Sequence, residues 1–387
     1  MSKLNELLTQ SCPCGIKYSP LSKVCKSLPK GTLKTGDLNQ NGKYPVINSG
    51  KDFYGRYQEY NNEGNVFTLA ARGEYAGFVT YIEHRFWAGG LCYPYRSKSE
   101  DELLTKFVYY FLKQQENTIM STLVARGSIP ALNKADIDKI MIPLPPLPVQ
   151  QEIVRILDSF MELTAELTAE LAARRKQYEH YRDELLTFGE DVPKLPISQI
   201  ANFKYGYTDK AQDSGDTRFI RITDITDDGC LTPFDAKYIN LTEESKKYLL
   251  AKGDLLLART GASYGKTLYY PDYNQAVYAS FLIKIEPNND KILNRFYWHF
   301  SKSSLYWAQA EKLVSKGGQQ QFNTGAIGRV VIPVPSLDAQ RRIVSILDRF
   351  DTLCNDLTSG LPAEIAARQK QYEYYRDKLL TFKELEG

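Results

Sequence analysis

A long internal repeat constrains this chain more than any other feature of its sequence. The stretch IPLPPLPVQQEIVRILDSF, which begins at Ile142, returns as IPVPSLDAQRRIVSILDRF at Ile332. A second block, RRKQYEHYRDELLTF from Arg174, returns as RQKQYEYYRDKLLTF at Arg368. Because self-similarity over a long period marks a repeated structural unit, the sequence predicts two related halves. The offset grows by four between the two blocks, so the second copy carries four extra residues, around residues 358–362.

Both copies of the repeat predict long helices, because apolar residues recur in them at steps of three and four. A helix of roughly 40 residues is about 60 Å long and cannot bury such a stripe by itself. The pattern therefore favours two long antiparallel coiled-coil helices over the alternative that each helix only covers its own domain. Ten positions represent the seam: Ile153, Phe160, Leu167, Tyr178, Leu185, Ile343, Phe350, Leu357, Tyr372 and Leu379.

The second repeat differs from the first, and a short part of the repeat also occurs near the start of the chain. Gly360 and Pro362 lie inside the second helical pattern, where they predict a kink or a break. The sequence NELLT at residues 5–9 echoes DELLT at residues 183–187 and DKLLT at residues 377–381. A chain that begins with the tail of its own repeat suggests a closed, pseudo-two-fold arrangement, with its first segment near the end of the last helix.

Two variable segments alternate with the repeats. We place an N-terminal segment at residues 1–15, variable domains at residues 16–147 and 189–337, and spacer helices at residues 148–188 and 338–387. The variable segments barely match in sequence, but both combine short β-type runs with helical patterns, so each is predicted to be an α+β domain. The predicted strands cover residues 65–71, 78–81, 219–223 and 254–258, and the predicted helices cover residues 101–114 and 292–305.

The composition is that of an ordinary globular protein. Of 387 residues, 43% are hydrophobic and 25% charged, which excludes a largely disordered chain. The formal net charge of +3 means that any basic surface is local and is offset by acidic helices. The six scattered cysteines lack the spacing of a structural zinc site and are predicted to be reduced thiols. Since neither a signal peptide nor a membrane span is evident, we expect a cytoplasmic protein.

Loops that combine a basic residue with glycine recur in both variable domains. AARG at residues 70–73 parallels LARTG at residues 257–261, and ARGSIPALN at residues 125–133 parallels SKGGQQQFN at residues 315–323. Glycine lets the backbone approach a phosphate while a basic side chain supplies charge. For a single loop, an ordinary solvated turn is at least as good an interpretation, but recurrence in both halves favours binding. The glutamine run and Asn323 suit adenine edges, or form a plain loop.

The whole pattern resembles the specificity subunit of type I restriction-modification systems. Two variable segments each end in I-P-L/V-P, a Q-x-x-I-V-x-I-L-D helix and Y-x-x-Y-R-D-x-L-L. The resemblance implies a non-catalytic DNA-binding subunit whose two domains each read one half of a bipartite, asymmetric target. TAEL occurs twice in tandem, at residues 164–167 and 168–171, and in some members the number of such units sets the half-site spacing. One unit adds about 6 Å of helix, or one to two base pairs.

The resemblance also implies the partners. Two methyltransferase (modification) subunits would dock on the ten seam positions, restriction and translocase subunits would join them, and double-stranded DNA would be bound. S-adenosylmethionine, ATP and Mg²⁺ are expected on those partner subunits, with no cofactor, metal or catalytic residue on this chain. The candidate DNA-binding residues are Arg72, Gly73, Arg126, Ser128, Arg259, Gly261, Tyr264, Lys266, Lys316, Gly318, Gln319, Gln320 and Gln321.

Two rival functions remain open at this point. An enzyme is disfavoured because GASYGKT at residues 261–267 has three residues between its glycines, whereas a phosphate-binding loop needs four. Asp235, Glu244 and Lys246 only loosely match a nuclease pattern, and the three histidines are far apart. A protein-interaction scaffold with two binding domains on a coiled coil is the second rival, but it has no need for two divergent domains with basic glycine loops.

Overall fold

The computed structural model describes residue 7 and residues 15–232, 234–271, 274–315, 320–356 and 358–385. Two compact units divide the chain: unit 1 comprises Met1–Glu166 and Ala366–Gly387, and unit 2 comprises Leu167–Ile365. Each unit therefore contains one variable domain together with parts of both repeats. The domain boundaries stated above remain predictions, because each unit also includes parts of both repeats.

Twenty strands are described, most of them short. In chain order they are β1 Tyr18–Pro20, β2 Cys25–Ser27, β3 Tyr44–Ile47, β4 Gly55–Tyr57, β5 Val66–Ala70, β6 Val79–Ile82, β7 Trp87–Ala88, β8 Cys92–Ser97, β9 Val124–Ala125, β10 Ala131–Leu132, β11 Met141–Pro143, β12 Lys194–Pro196, β13 Ala201–Tyr205, β14 Thr217–Ile220, β15 Tyr238–Ile239, β16 Leu255–Ala258, β17 Thr267–Tyr269, β18 Ala276–Tyr278, β19 Leu282–Pro287 and β20 Val331–Pro333.

Ten α-helices are described, and they range from one turn to 39 residues. They are α1 Leu21–Val24, α2 Thr105–Gln114, α3 Glu116–Thr122, α4 Lys134–Ile137, α5 Leu147–Leu185, α6 Asn294–Ser301, α7 Ser304–Leu313, α8 Thr324–Gly328, α9 Leu337–Asn355 and α10 Leu361–Leu379. The predicted strands at residues 65–71, 78–81 and 254–258 correspond to β5, β6 and β16. The predicted helices correspond to α2 and to α6, and the second ends earlier than expected because α7 starts anew at Ser304.

The two variable domains have the same topology despite their divergent sequences. Unit 1 has a four-stranded sheet in the order β2-β8-β5-β6 and a three-stranded sheet in the order β4-β3-β7. Unit 2 has β13-β19-β16-β17 and β15-β14-β18. Among the described strand pairs, β3–β7 and β14–β18 are parallel and the others antiparallel. In each unit a two-stranded sheet, β1-β11 or β12-β20, precedes the long helix. The α+β prediction is confirmed.

One inner strand of each large sheet, β5 or β16, is buried on both faces. In β5, Phe67 and Leu69 pack into a cluster with Phe107 of α2, whereas Val66 faces a cluster with Ile47. In β16, Leu255 and Leu257 pack towards α6, and Leu256 faces the small sheet. A strand covered on both sides has a continuous apolar run instead of strict alternation. The sequences VFTLA of β5 and LLLA of β16 therefore belong to strands at the same buried position of the two large sheets.

The long helices are paired, and they also cover their own domains. In unit 1, the rings of Phe160 and Tyr375 stack with centroids 5.4 Å apart. In unit 2, Phe350 stacks on Tyr178 at 6.2 Å and on Tyr181 at 5.6 Å. Seam residues nearer the start of α5 and α9 pack mainly against the domain instead, as Ile153 does with the α2 cluster. The two alternatives for the apolar stripe are thus combined in one molecule.

The second repeat is broken, as Gly360 and Pro362 predicted. Helix α9 ends at Asn355 and α10 begins at Leu361. A Cβ atom on Gly360 would lie 2.5 Å from the carbonyl oxygen of Thr352, a distance that carbon atoms do not tolerate. The chain can therefore pass this close to the end of α9 only because residue 360 has no side chain. The seam position Leu357 lies outside the described residues.

A parallel bridge joins the two ends of unit 1. The amide of Ile16 donates to the carbonyl of Lys383 at 2.8 Å, and the amide of Leu385 donates to the carbonyl of Ile16 at 3.0 Å. Leu7 packs against the same hydrophobic cluster as the end of α10. These contacts place Leu7 and Ile16 beside the end of α10, as predicted, while most of the NELLT echo lies outside the described residues.

The cysteines within the described residues form no disulfide. Cys25, Cys92 and Cys354 are buried, and Cys230 is partly buried. Burial raises the pKa of the Cys25 and Cys92 thiols to about 12, so both are unreactive near neutral pH. No described helix is long and apolar enough to span a membrane.

Candidate nucleic-acid interface

In unit 1, the two glycine-containing loops that the sequence singled out lie side by side. The loop after β5 donates from the amide of Gly73 to the carbonyl of Pro130 at 2.9 Å. In return, the amide of Leu132 donates to the carbonyl of Ala71 at 2.9 Å. Two segments from distant parts of the chain thus form one surface.

Unit 2 repeats this contact with different residues. The amide of Gly261 donates to the carbonyl of Gln320 at 3.2 Å, and the amide of Phe322 donates to the carbonyl of Arg259 at 2.8 Å. Gly73 and Gly261 both have positive φ angles, +91° and +68°, and a Cβ atom at either would meet nothing within 4 Å. The backbone conformation, not crowding, therefore calls for glycine, and the space in front of both loops is open to a ligand.

The strand register shows that the two loop arginines are not equivalent. Ala70 pairs with Cys92 as Ala258 pairs with Leu282, so Ala71 corresponds to Arg259 and Arg72 corresponds to Thr260. Arg72 is exposed, whereas Arg259 is partly buried. Neighbouring residues of an extended segment point to opposite sides, so the two units present their arginines differently at the same surface.

The second loop supplies further exposed polar residues. Arg126 and Ser128 in unit 1 and Gln320 and Gln321 in unit 2 are all exposed. Lys316, Gly318 and Gln319 lie outside the described residues. Asn323, by contrast, is a helix cap, because its side-chain oxygen accepts from the amide of Ala326 at 2.9 Å.

Two other candidates have structural partners. The ring of Tyr264 packs edge-on against Trp307 at 5.9 Å and Phe322 at 6.3 Å. Lys266 forms an ion pair with Asp227. It also lines a pocket of about 290 Å³ that contains Arg175 and Lys302. Their assignment to DNA binding stays a prediction, and the contacts give both residues a role within unit 2 itself.

Exposed aromatic residues beside Arg259 escaped the sequence analysis. Its guanidinium carbon lies 5.3 Å from the ring centroid of Tyr205 and 5.6 Å from that of Phe281. Both rings are exposed, Tyr205 to 45% and Phe281 to 50%. No motif marks these residues, because one lies far before Arg259 in the chain and the other well after it. Only the strand pairing β13–β19–β16 brings them together.

The seam positions are largely enclosed within their units. Ile153, Tyr178, Ile343 and Leu379 are at least nine-tenths buried, and Leu167 is 9% exposed. Phe160, Leu185, Phe350 and Tyr372 are partly buried. Their packing within the units is therefore observed, and their contact with partner subunits stays a prediction.

A partly buried polar cluster links the long helices to the domain in each unit. In unit 1, Asp158 accepts from Lys106 at 2.8 Å and from the Tyr110 hydroxyl. In unit 2, Asp348 takes the place of Asp158, and its carboxylate lies 2.7 Å from both Arg295 Nε and His299 Nε2. The Nδ1 atom of His299 lies 3.1 Å from the Tyr178 hydroxyl. Burial lowers the pKa of His299 to about 4, so the imidazole is neutral at pH 7.

Among the residues that the structure describes, no group of three or more His, Cys, Asp or Glu side chains could hold a metal ion.

A family model for the type I restriction modification DNA specificity domain matches this chain twice, over residues 13–174 and residues 190–367. The chain belongs to this family. Each match covers one variable domain and most of the repeat that follows it, so the internal repeat corresponds to two copies of the same family domain.

Relatives match the specificity subunit over nearly its whole length. This chain is 32% identical over 389 residues to the putative type I restriction enzyme specificity subunit S.HindORF215P of Haemophilus influenzae, and the match covers 95% of this chain and 96% of that protein. It is 31% identical over 409 residues to the EcoR124I/EcoR124II specificity subunit of Escherichia coli, covering 95% and 94%. Like these relatives, it is a non-catalytic specificity subunit.

Solved structures share the fold of the specificity subunit. The crystal structure of a type I restriction-modification S subunit from M. genitalium superposes with a TM-score of 0.64 at 19% identity, covering 95% of this chain and 96% of that one. The fold with two α+β domains and long helices is thereby confirmed.

Proposed function

We propose that each variable domain of this specificity subunit reads one half of a bipartite, asymmetric DNA sequence. The observation that carries the proposal is the paired-loop surface, Ala71–Gly73 with Pro130–Leu132 in unit 1 and Arg259–Gly261 with Gln320–Phe322 in unit 2. Its backbone contacts are the same in both units, while its side chains differ. A constant scaffold with variable side chains is what two readers of different sequences require.

The charges near these loops suit DNA. Arg72 and Arg126 in unit 1 and Arg259 in unit 2 stand on or beside the paired loops, although the whole chain carries a formal charge of only +3. Arginine side chains and open glycine backbone suit contacts with phosphates or with base edges, and neighbouring polar side chains such as Gln320 and Gln321 reach base edges in the major groove.

The long helices serve as spacer and docking site in this proposal. Two methyltransferase subunits bind along the helices, and restriction and translocase subunits join the complex in turn. S-adenosylmethionine, ATP and Mg²⁺ belong to those partners, and this chain contributes the choice of sequence. Helix α5, with 39 residues, is about 60 Å long, which gives those subunits an extended surface to bind.

The test is an exchange of single variable domains. Residues 16–147 are replaced by the corresponding segment of a relative with a different target, and methylated adenines are then mapped genome-wide. We expect one half of the methylated motif to change while the other half stays as before. Exchange of residues 189–337 is the matched control and should change the opposite half.

Two outcomes contradict the proposal. If both halves of the motif changed together, the two domains would not read independently. If removing the subunit left the methylation pattern of its methyltransferase partners intact, the chain would be a protein-interaction scaffold instead.

A further inference from the structure

The side chain of Arg259 is held between two aromatic rings at an exposed edge of unit 2. Tyr205 lies on β13 and Phe281 immediately before β19, and both ring centroids lie within 5.6 Å of the guanidinium carbon. Cation–π contacts of this kind orient an arginine without closing it off from solvent. We call Tyr205, Arg259 and Phe281 the aromatic clamp.

One edge of the guanidinium is already used by the backbone. The Nε atom of Arg259 donates to the carbonyl of Ser280 at 3.0 Å. Within the described part of the chain, the Nη1 and Nη2 atoms have no hydrogen-bond acceptor. Each of these two nitrogens carries two N–H donors in the guanidinium plane, and one N–H from each forms the fork that matches two acceptors side by side.

A fork of two coplanar donors has a specific match among base edges. Guanine presents the O6 and N7 acceptors together in the major groove, and arginine is the commonest side chain to bind both. A phosphate can also accept from such a fork, but it carries no sequence information and can be bound by a mobile side chain as well. The aromatic clamp instead restricts the rotation of Arg259 in advance, which reduces the entropy lost on forming two directional bonds.

The equivalent place in unit 1 is built differently. The registers β2–β8 and β13–β19 place Pro29 where unit 2 has Tyr205. The amide of Ala71 donates to the carbonyl of Leu91 at 2.8 Å, just as the amide of Arg259 donates to that of Phe281 at 3.1 Å. Unit 1 therefore has proline, alanine and leucine at the three positions of the clamp. The fold does not require the clamp, because unit 1 forms the same backbone contacts without it.

We propose that the aromatic clamp reads a guanine in the half-site of unit 2, with Arg259 as the base-contacting residue and Tyr205 and Phe281 as positioning residues. The inference rests on the proposed function, because it assumes that unit 2 faces a DNA half-site. The inference adds to the proposed function one base, a guanine, and the side chain that contacts it, Arg259.

The experiment uses the complete complex with its methyltransferase subunits and duplexes that carry the mapped target. Each G·C pair of the unit 2 half-site is changed in turn to A·T, and each guanine to 7-deazaguanine, which lacks the N7 acceptor. For the wild type, we expect methylation to fall roughly 10- to 100-fold at one G·C pair. In Arg259→Ala, that pair should no longer be distinguished from A·T, while the other positions are read as before.

Further variants separate the roles within the clamp. Arg259→Lys keeps the charge but not the planar fork, so it should also lose discrimination at that pair. Phe281→Leu, which installs the residue type of unit 1, should weaken discrimination less than Arg259→Ala. Arg329→Ala is the matched control, since Arg329 is an exposed arginine of unit 2 outside the paired loops, and it should leave the motif unchanged. Thermal unfolding of each variant shows whether unit 2 remains folded.

The possible failures are distinguishable. A half-site without any G·C pair would overturn the inference, and so would full discrimination by Arg259→Ala at every pair. A uniform loss on all sequences would make Arg259 a phosphate contact instead. If the wild-type complex showed no sequence preference at all, the proposed function itself would fail.

Discussion

Among single residues, two buried glutamines, Gln150 and Gln340, connect the repeat helices to the variable domains. Gln150 accepts from the amide of Leu104 at 2.8 Å and donates to the carbonyls of Glu102 and Pro145 at 2.9 and 2.7 Å. Gln340 accepts from the amide of Leu293 and donates to the carbonyls of Lys291 and Pro335 at matching distances. Each side-chain amide thus satisfies two backbone groups at the start of a domain helix and one just before the long helix.

Replacement of this glutamine is expected to destabilise unit 1. Gln150→Leu removes the partner of the Leu104 amide and of the Glu102 carbonyl, and it leaves the buried Pro145 carbonyl without this donor. We expect a cost of about 2–4 kcal/mol in the free energy of unfolding. Urea denaturation measures the change. Gln151→Leu is the matched control, because Gln151 is the exposed neighbour on the same helix, and it should change stability by less than about 0.5 kcal/mol. Equal effects from the two variants would refute this role for Gln150.

His299 makes the stability of unit 2 dependent on pH. Burial holds its pKa in the folded protein at about 4, below the ordinary value of 6.5, so the unfolded chain binds a proton between these values and the folded chain does not. We therefore expect the contribution of His299 to stability to be fully present above pH 6.5 and to be lost as the pH falls towards 4, by an amount on the order of 3 kcal/mol.

The measurement is the thermal midpoint as a function of pH. In His299→Gln the decline between pH 6.5 and pH 4 should be shallower than in the wild type, although the variant is less stable at pH 7. Parallel curves for the two proteins would show that His299 does not titrate as described.

At the scale of elements, the two repeats differ in the continuity of their helices. Helix α5 runs without interruption for 39 residues, whereas α9 and α10 have 19 residues each and are separated by the turn at Gly360. The tandem TAEL units lie within α5. Leu167 of the first TAEL sequence is buried, and Leu171 of the second TAEL sequence packs against the core of unit 2. Each TAEL sequence therefore combines an apolar contact with an exposed helix-forming residue, Glu166 or Glu170.

Insertion or deletion of one TAEL unit should alter the spacer of the DNA target. Four residues add about 6 Å and about 400° of rotation, which leaves the apolar stripe within about 40° of its original face. We expect the nonspecific spacer between the half-sites to change by one to two base pairs, with both half-site sequences retained. Methylation mapping of the insertion and deletion variants measures both quantities. An altered half-site sequence would argue against a role for α5 as a spacer.

Across the molecule as a whole, the same fold occurs twice, with different side chains on the paired loops. The large sheets have the same strand order, and the paired loops make the same backbone contacts in both units. Aspartates 158 and 348 and the two buried glutamines occupy matching positions between domain and helix. The two units differ in the outward-facing side chains of the aromatic clamp.

The family, the two-fold organisation, the long helices and the break at Gly360 can all be inferred from the amino-acid sequence alone. They follow from local periodicity and from similarity between residues at a fixed separation, which need no tertiary information. The glycine loops are also evident in the sequence, although their pairing is not. Boundaries within the variable domains are less accurate, since α6 ends at Ser301 where the apolar pattern continues into α7.

Which loop residues share a surface depends instead on tertiary structure. Arg72 and Arg259 look equivalent in sequence, but the pairing of β5 with β8 and of β16 with β19 places them one position apart. The clamp around Arg259 draws on residues from two other parts of the chain. Such contacts depend on strand register, and register is set by burial and hydrogen bonding across the sheet, which no local pattern of residues contains.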